Sequence, residues 1–341
     1  MQDHKQNQPP TIVEVAKVAG VSIATVSRVI NGTGKVSKKL ERRVHKAMEK
    51  LNYHPSSLAR SFKMQETRLI GLVIPLLDHP FFSQLAQVME RELFQNNYRA
   101  IICNTEENKA REIEYIELLL RQRVDGVIVN SAIASSDYLS QLNAQHVPCV
   151  LIDRDIEHFI CSKVFSDNSQ GGYLGMQHLI EQGHRNIRVV APFDFAQPMQ
   201  HRIRGIREAL KDYAIEERPT TFMMNDDHSF EMGINVGKAI ASEASPPTAI
   251  FALTDVTAVG ILHGLAQMGL SVPDDISVMG YDGIPLSAYI MPTLTTVEQP
   301  IVEMGKQAVE ILLNHIQDAE LPSDRVVLPN RLVVRESTVS V

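Results

Sequence analysis

The sequence predicts an α/β protein: a short all-α segment at the N-terminus, then a long body of doubly wound parallel sheets arranged in two lobes. Three observations predict it. The 341 residues exceed the roughly 100–200 of a single domain. From position 69 onward, short continuous apolar runs alternate with stretches of helical period, the pattern of parallel strands covered by helices. Charge divides at nearly the same place. Residues 1–63 carry 12 Lys and Arg against 4 Asp and Glu, while the rest of the chain carries 21 against 36. A basic segment therefore precedes an acidic body, which points to a polyanionic partner for the first segment alone. A solvated charged surface would look the same by charge count.

The opening stretch, residues 1–10, is polar and is expected to be a disordered tail. Thr11-Ile-Val-Glu14 reads as a capping box, because the Thr hydroxyl can accept from the backbone three residues on while Glu14 reaches back. The helix it starts runs through Val15, Ala16 and Val18 to Gly20, a residue suited to a left-handed turn. Ser22 caps the next helix, over Ile23 to Ile30. Two short helices joined by a turn containing Gly form a helix-turn-helix, whose second helix enters the major groove. Val26, Val29 and Ile30 form its apolar stripe; Ile23, Ala24, Ser27 and Arg28 face outward. Arg28 suits guanine O6 and N7, and Ile23 with Ala24 suits thymine methyls. Asn31 to Gly34 is a turn, and Ser37 caps a third helix carrying Leu40, Val44, Ala47, Met48 and Leu51. Its other face, with Lys38, Lys39, Arg42, Arg43, Lys46 and Lys50, suits phosphates or simply water. A generic three-helix bundle shares this pattern.

The run from Thr11 to Asn31 (TIVEVAKVAGVSIATVSRVIN), with Val36-Ser37 and Leu51-Asn-Tyr-His-Pro-Ser-Ser-Leu-Ala-Arg60, resembles the headpiece of the LacI/GalR transcription regulators almost without gaps. The resemblance implies a DNA-binding domain over 11–54 and a hinge helix with linker over 55–67. It places operator contacts at Ile12, Ser22, Ile23, Ala24, Thr25, Ser27, Arg28, Asn31, Lys35 and Ser37, and hinge contacts at Ser56, Ala59 and Phe62. Pro55 is pre-organised to start a helix, yet the hinge segment is too short to hold alone. The resemblance implies that it folds on operator, paired with its dimer mate in the minor groove. Phe62 stands where the family usually inserts Leu between base pairs. Phe can serve as such a wedge; packing on its own body is the competing role.

In the body, strands are expected over Leu69–Pro75, Ala100–Cys103, Gly126–Val129, Cys149–Ile152, Ile187–Val190, Ala249–Leu253 and Ile276–Gly280. Helices are expected near 81–97, 108–122, 136–145 and 168–183. The resemblance implies a type I periplasmic-binding-protein-like fold. One lobe then takes about 68–166 with 299–326, the other about 167–296 with 327–341. In open sheets, ligands bind beyond the carboxyl ends of strands. Phe81, Phe82, Asn130, Asp153, Arg154, Thr254, Asp255, Tyr281 and Asp282 all follow strands. Aromatic faces among Asp, Asn and Arg suit a sugar or nucleoside. By resemblance Arg202, His228 and Gln299 join the effector-binding set. Asp153 and Asp282 could instead cap turns, Arg154 could pair across the hinge, and Phe82 could be core if Phe81 faces the cleft. Thr254 departs from the family's usual Asn. Purine-responsive relatives place an Arg within the segment Pro192–Met199, and this chain has none there, which weighs against a purine effector.

The chain is thus expected to be a cytoplasmic DNA-binding regulator, a repressor of a sugar or related catabolic operon. Its expected partners are a pseudo-palindromic double-stranded operator, a sugar-like effector and a second copy of itself; no cofactor, metal or membrane contact is expected. A regulator without an effector and a solute-binding protein are the alternatives, the latter requiring a signal peptide that the polar N-terminus does not supply. Catalysis is not expected, since there is no G-x-G-x-x-G after a strand, no P-loop and no G-x-S-x-G elbow. Gln84, Val88 and Met89 are candidate interface residues. The tail 326–341 has no heptad for tetramer formation. Cys103, Cys149 and Cys161 are expected to be buried free thiols.

Overall fold

The computed structural model describes residues 10–31, 33–53, 66–131, 138–156, 158–192, 197–225 and 229–341. The expected disordered tail and hinge helix lie outside the described residues, as do the expected DNA contacts Ser56, Ala59 and Phe62 and the effector residue His228. The chain divides into two compact units, Met1–Thr67 and Arg68–Val341.

The first unit is a three-helix bundle of α1 (Ile12–Ala19), α2 (Ile23–Asn31) and α3 (Lys38–Leu51). The capping box forms as expected: Glu14 N donates to Thr11 Oγ1 at 3.4 Å and Thr11 N donates to Glu14 Oε2 at 2.7 Å. Gly20 ends α1 at φ 61°, in the left-handed region. Arg43 donates to its carbonyl at 3.2 Å, so this member of the basic face of α3 also caps α1. Ser22 accepts from Thr25 N at 3.1 Å and starts α2. Ser37 occupies the N-cap of α3 but makes no side-chain cap bond. Val15, Ala16, Ala19, Val26, Val44 and Ala47 form the core.

The second unit holds two six-stranded sheets. The first takes β1 (Leu69–Ile74), β2 (Arg99–Asn104), β3 (Gly126–Val129), β4 (Cys149–Ile152), β5 (Ser162–Ser166) and β11 (Arg325–Leu328), in the order β11-β5-β4-β3-β1-β2, all parallel. The second takes β6 (Ile187–Pro192), β7 (Phe222–Asn225), β8 (Ala249–Ala252), β9 (Ser277–Asp282), β10 (Thr295–Glu298) and β12 (Arg331–Val333), in the order β12-β10-β9-β8-β6-β7. There only β12 runs antiparallel, against β10. The strands read as continuous apolar runs because helices cover both faces. In the first lobe α4 (Pro80–Gln95) and α11 (Ile301–Gln317) pack on one face, and α5 (Lys109–Arg121) with α6 (Ser140–Ala144) on the other. In the second, α7 (Asn168–Glu181) and α8 (Gln197–Asp212) face α9 (Phe230–Ala241) and α10 (Asp255–Gln267) across the sheet.

Three sequence expectations change here. The expected boundary between 326 and 327 would cut β11, which pairs with β5 through Leu328; the last crossing between lobes lies at Pro329 and Asn330. Met89 is wholly buried in the first lobe's core and cannot face a partner. Cys161 is half-buried, whereas Cys103 and Cys149 are buried.

Candidate functional site

Both sheets place β1 or β6 between neighbours whose connections run to opposite sides, so each lobe has its own topological switch point. The carboxyl ends of the strands meet between the lobes, where such sheets bind ligands. A cavity there is lined by His79, Phe81 and Phe82 after β1, Asp153 and Arg154 after β4, and Pro192 at the end of β6. Pro198, Met199 and Arg202 of α8, Thr254 after β8, and Asp282 at the end of β9 complete it. The free volume between these side chains is about 40 Å³, room for little more than a water.

Arg202 is the hub. It is buried, and its fork reaches three acceptors: Asn168 Oδ1 at 2.8 Å, the Leu253 carbonyl at 2.5 Å and Asp282 Oδ1 at 3.2 Å. Its guanidinium stacks 3.6 Å from the centroid of the Tyr281 ring. The close approach of α7 and α8 makes this possible. A Cβ on Gly205 would lie 1.8 Å from the Ser169 carbonyl oxygen, and one on Gly172 would lie 2.0 Å from that of Arg202. Without side chains at these two contacts, the backbones meet and Arg202 comes level with Asn168.

The network runs on through the three crossings of the chain between the lobes, at 166–168, 299 and 329–330. Gln299 donates to Asp282 Oδ1 at 2.9 Å and accepts from Ser166 Oγ at 2.5 Å. Asn330 donates to the Tyr281 hydroxyl at 2.9 Å and to the Asp167 carbonyl at 2.8 Å. Gln299 and Asn330 thus tie the crossings to the cleft floor.

The two cleft carboxylates share an unusual state. Asp153 and Asp282 are buried non-glycine residues at positive φ, 67° and 115°, conformations that cost free energy and persist where surrounding structure enforces them. Each has one satisfied oxygen: Asp153 Oδ2 accepts from Asn130 at 3.4 Å, and Asp282 Oδ1 takes Gln299 and Arg202. Asp153 Oδ1 and Asp282 Oδ2 are buried without a hydrogen-bond partner. Burial raises the Asp153 carboxyl, against the opposing pull of Arg154 and Arg202. Burial likewise pushes Asp282 up to about 6, with Arg202 and Gln299 opposing.

Of the expected effector residues, Phe81, Phe82, Asp153, Arg154, Arg202, Thr254 and Asp282 are brought together around the cavity. Phe81 and Phe82 meet edge to face, centroids 5.1 Å apart, and both also belong to the core. Arg154 pairs with Glu107 at 2.8 Å within its own lobe, so it does not bridge the hinge. Thr254 caps α10, accepting from Thr257 N at 3.2 Å. Asn130 and Gln299 stand behind the lining as supports. Asp255 departs from expectation: its oxygens take Thr296 Oγ1 at 2.6 Å and Ile284 N at 2.8 Å. With both occupied by its own lobe, it holds β10 and the turn after β9 in place and does not line the cavity. Asn168, Tyr281, His79, Pro192, Pro198 and Met199 complete the site. Asn168 obeys the strand-end rule once β5 is recognised, but the polar run Ser162–Ser166 gives little strand signal.

In the first unit, Ile23, Ala24 and Arg28 are exposed on α2 together with Ser22, and Lys35 and Ser37 are exposed in the turn before α3. Thr25 and Ser27 are half-buried. Ile12 packs half-buried against the bundle core, so its side chain serves the fold rather than standing clear of it. The side chain of Asn31 lies outside the described residues.

A helix-turn-helix unit with its recognition face outward, followed by a hinged two-lobed α/β body with a polar, aromatic-walled cleft, defines a DNA-binding regulator. Residues 11–56 match the "Bacterial regulatory proteins, lacI family" and residues 176–338 the "Periplasmic binding protein-like domain". The chain is 37% identical to the ribose operon repressor of Halalkalibacterium halodurans over 96% of its length and 97% of the relative's. It is 36% identical to the transcriptional repressor PurR of Aliivibrio fischeri, over 97% and 98%. Among solved structures it is similar to a LacI family regulator from Enterococcus faecium with bound ribose, at TM-score 0.74 and 33% identity, over 80% of this chain and 99% of that one. The lac repressor dimer bound to operator and the anti-inducer ONPF superposes at TM-score 0.86 and 29% identity, over 97% and 100%. The chain belongs to the lacI family of bacterial regulatory proteins, and it is a DNA-binding transcriptional regulator. Among the described residues, no helix is long and apolar enough to cross a membrane.

Proposed function

We propose that this regulator represses a catabolic operon as a homodimer and that a pentose-like sugar, bound between the lobes, controls it. The carrying observation is that both carboxylates lining the cleft, Asp153 and Asp282, have a buried oxygen without a partner, Oδ1 and Oδ2 respectively. A buried acceptor left unmade costs about 1–3 kcal/mol, more when charged. Hydroxyl donors from a sugar would satisfy both. The ring's apolar face would lie on Phe81 and Phe82, and Arg154 and Arg202 would supply donors to its oxygens. A planar base would leave the two carboxylates with fewer donors, and no Arg stands within 192–199 to recognise one. Names among the relatives point both ways, to a ribose operon and to PurR, and the chemistry of the lining supports the sugar.

Filling the cleft changes how the lobes sit on Gln299 and Asn330. Ligand affinity that differs between lobe arrangements shifts operator affinity by the same coupling free energy, typically 1–3 kcal/mol. Dimer formation is supported by an apolar patch on the second lobe, where Tyr289 is 82% and Met291 92% exposed beside half-exposed Leu286. Such a patch marks an association site, and two headpieces suit paired half-sites.

Titration calorimetry of the full chain with ribose, other pentoses, hexoses and purine bases tests the assignment, with operator binding followed in parallel. Pentose binding that shifts operator affinity is expected. Binding of a purine base alone, or of nothing, overturns it.

A further inference from the structure

Cys149 is the first residue of β4, and Cys161 stands immediately before β5. These strands are parallel neighbours with Val150 opposite Ser162 and Leu151 opposite Lys163. One step back along that register sets Cys149 opposite Cys161. Residues in register on adjacent strands project from the same face, and both side chains pack in the same apolar cluster on the α5 and α6 side of the sheet. Each thiol is the leading influence on the ionisation of the other. Neighbouring strands lie about 4.8 Å apart, inside the Cα separation of roughly 4.4–6.8 Å that a disulfide spans.

The two thiols are not equivalent. Cys149 is buried, and its role as donor to Cys161, together with burial, raises it. Cys161 is half-buried, and the bond from Cys149 lowers it, with the nearby Lys163 ammonium adding to the effect. Cys103, in the same apolar cluster, has no such partner, and burial pushes its thiol up to about 11. The thiolate is the reactive form, and of the three cysteines Cys161 is both the most exposed and the one whose ionised form is favoured.

We propose that Cys149 and Cys161 are a reversible redox modification site at which a hydroperoxide converts the dithiol to a disulfide. The Cys161 thiolate attacks the peroxide O–O bond, and its sulfur is oxidised to the sulfenic acid. The leaving oxygen takes a proton and departs as water or alcohol. The Cys149 sulfur then displaces hydroxide from Cys161, and that hydroxide leaves as water with the Cys149 proton. Two thiols and one hydrogen peroxide thus give one disulfide and two waters. The bond would close the segment 149–161, which carries Asp153 and Arg154 into the cleft. Oxidation would therefore pin the base of the loop that presents two ligand-facing side chains. The site stands whether or not the ligand is a pentose.

The test uses reduced full-length protein, exposed to hydrogen peroxide, quenched with an alkylating agent and mapped by peptide mass spectrometry. Expected are a cross-linked peptide joining Cys149 to Cys161, loss of two hydrogens from the intact mass, reversal by dithiothreitol, and Cys103 alkylated as before. In Cys149→Ser, Cys161 is expected to accumulate as a sulfenic acid trapped by dimedone. Oxidation of wild type to sulfinic acid without the cross-link, or Cys103 reacting as fast as Cys161, overturns the proposal. The wild-type map decides even if the variant fails to fold.

Discussion

Arg202→Met tests the hub of the cleft because the side chain's length and apolar stem are kept while every donor is lost. Three acceptors lose their partner: the Leu253 carbonyl, Asn168 Oδ1 and Asp282 Oδ1. Of these, Asn168 Oδ1 keeps the Tyr281 hydroxyl at 3.3 Å, and Asp282 keeps Gln299. Removing one member of a buried ion pair typically costs about 3–5 kcal/mol, because the remaining charge is uncompensated. For a body of this size that lowers the melting temperature on the order of 10 °C. The loss should depend on pH. Folded Asp282 holds its proton up to about 6, against 3.8 for the ordinary group. The native state therefore binds the extra proton between those values, and stability falls by about 3 kcal/mol as pH rises through that window. Without Arg202 the folded value rises further, so the fall continues above 6. Near pH 5 the penalty should reduce to the one orphaned neutral acceptor, the Leu253 carbonyl, about 1–3 kcal/mol. The chain has no tryptophan, so guanidinium unfolding is followed by far-ultraviolet circular dichroism at both pH values. Arg202→Lys, which keeps the charge but not the fork, should fall between. A deficit below about 1 kcal/mol at neutral pH, or one equal at both pH values, would refute the argument.

Other perturbations probe separate parts of the molecule. Gly205→Ala drives a Cβ to 1.8 Å from the Ser169 carbonyl oxygen; because backbone must move, a loss of about 3 kcal/mol or more is expected, with ligand binding weakened as Arg202 leaves Asn168. A thermal melt near wild type would contradict that packing. Arg28→Ala should weaken operator binding by about 1–3 kcal/mol and relax preference at one base pair; equal weakening on every sequence, read by gel shift, would make Arg28 a phosphate contact instead. Burial lowers His178 and His184 from 6.5, so the stability they contribute is present above that value and is lost as pH falls below it. His184→Gln should flatten this acid limb in pH-dependent melts, and an unchanged limb would remove His184 from it.

Local features were legible in the sequence wherever short-range chemistry decides them. The capping box at Thr11 and Glu14, the left-handed Gly20 and the apolar stripe around Val26 each depend on neighbours a few residues away. The strands Gly126–Val129 and Cys149–Ile152 were legible for a related reason, since both faces of each are covered by helices and the apolar run is unbroken. Strand β5, reading Ser-Lys-Val-Phe-Ser, was not, because it is short and its polar ends are satisfied by His315 and Gln299 from far along the chain. Of the strand-end residues, Asp153 and Asp282 reached the cavity as their positions implied. Asp255 follows the same rule in sequence, yet Thr296 and Ile284 claim both of its oxygens.

The sequence by itself determined the family, the helix-turn-helix, the two-lobed body and the set of residues at strand ends, because periodicity, caps and motif spacing are encoded over short distances. Only the tertiary structure decided which of those residues are ligand-facing, which are supports, and that Cys149 and Cys161 are neighbours. The reason is physical. A carboxylate's role depends on which donors reach it, and those donors come from strands and crossings more than a hundred residues apart.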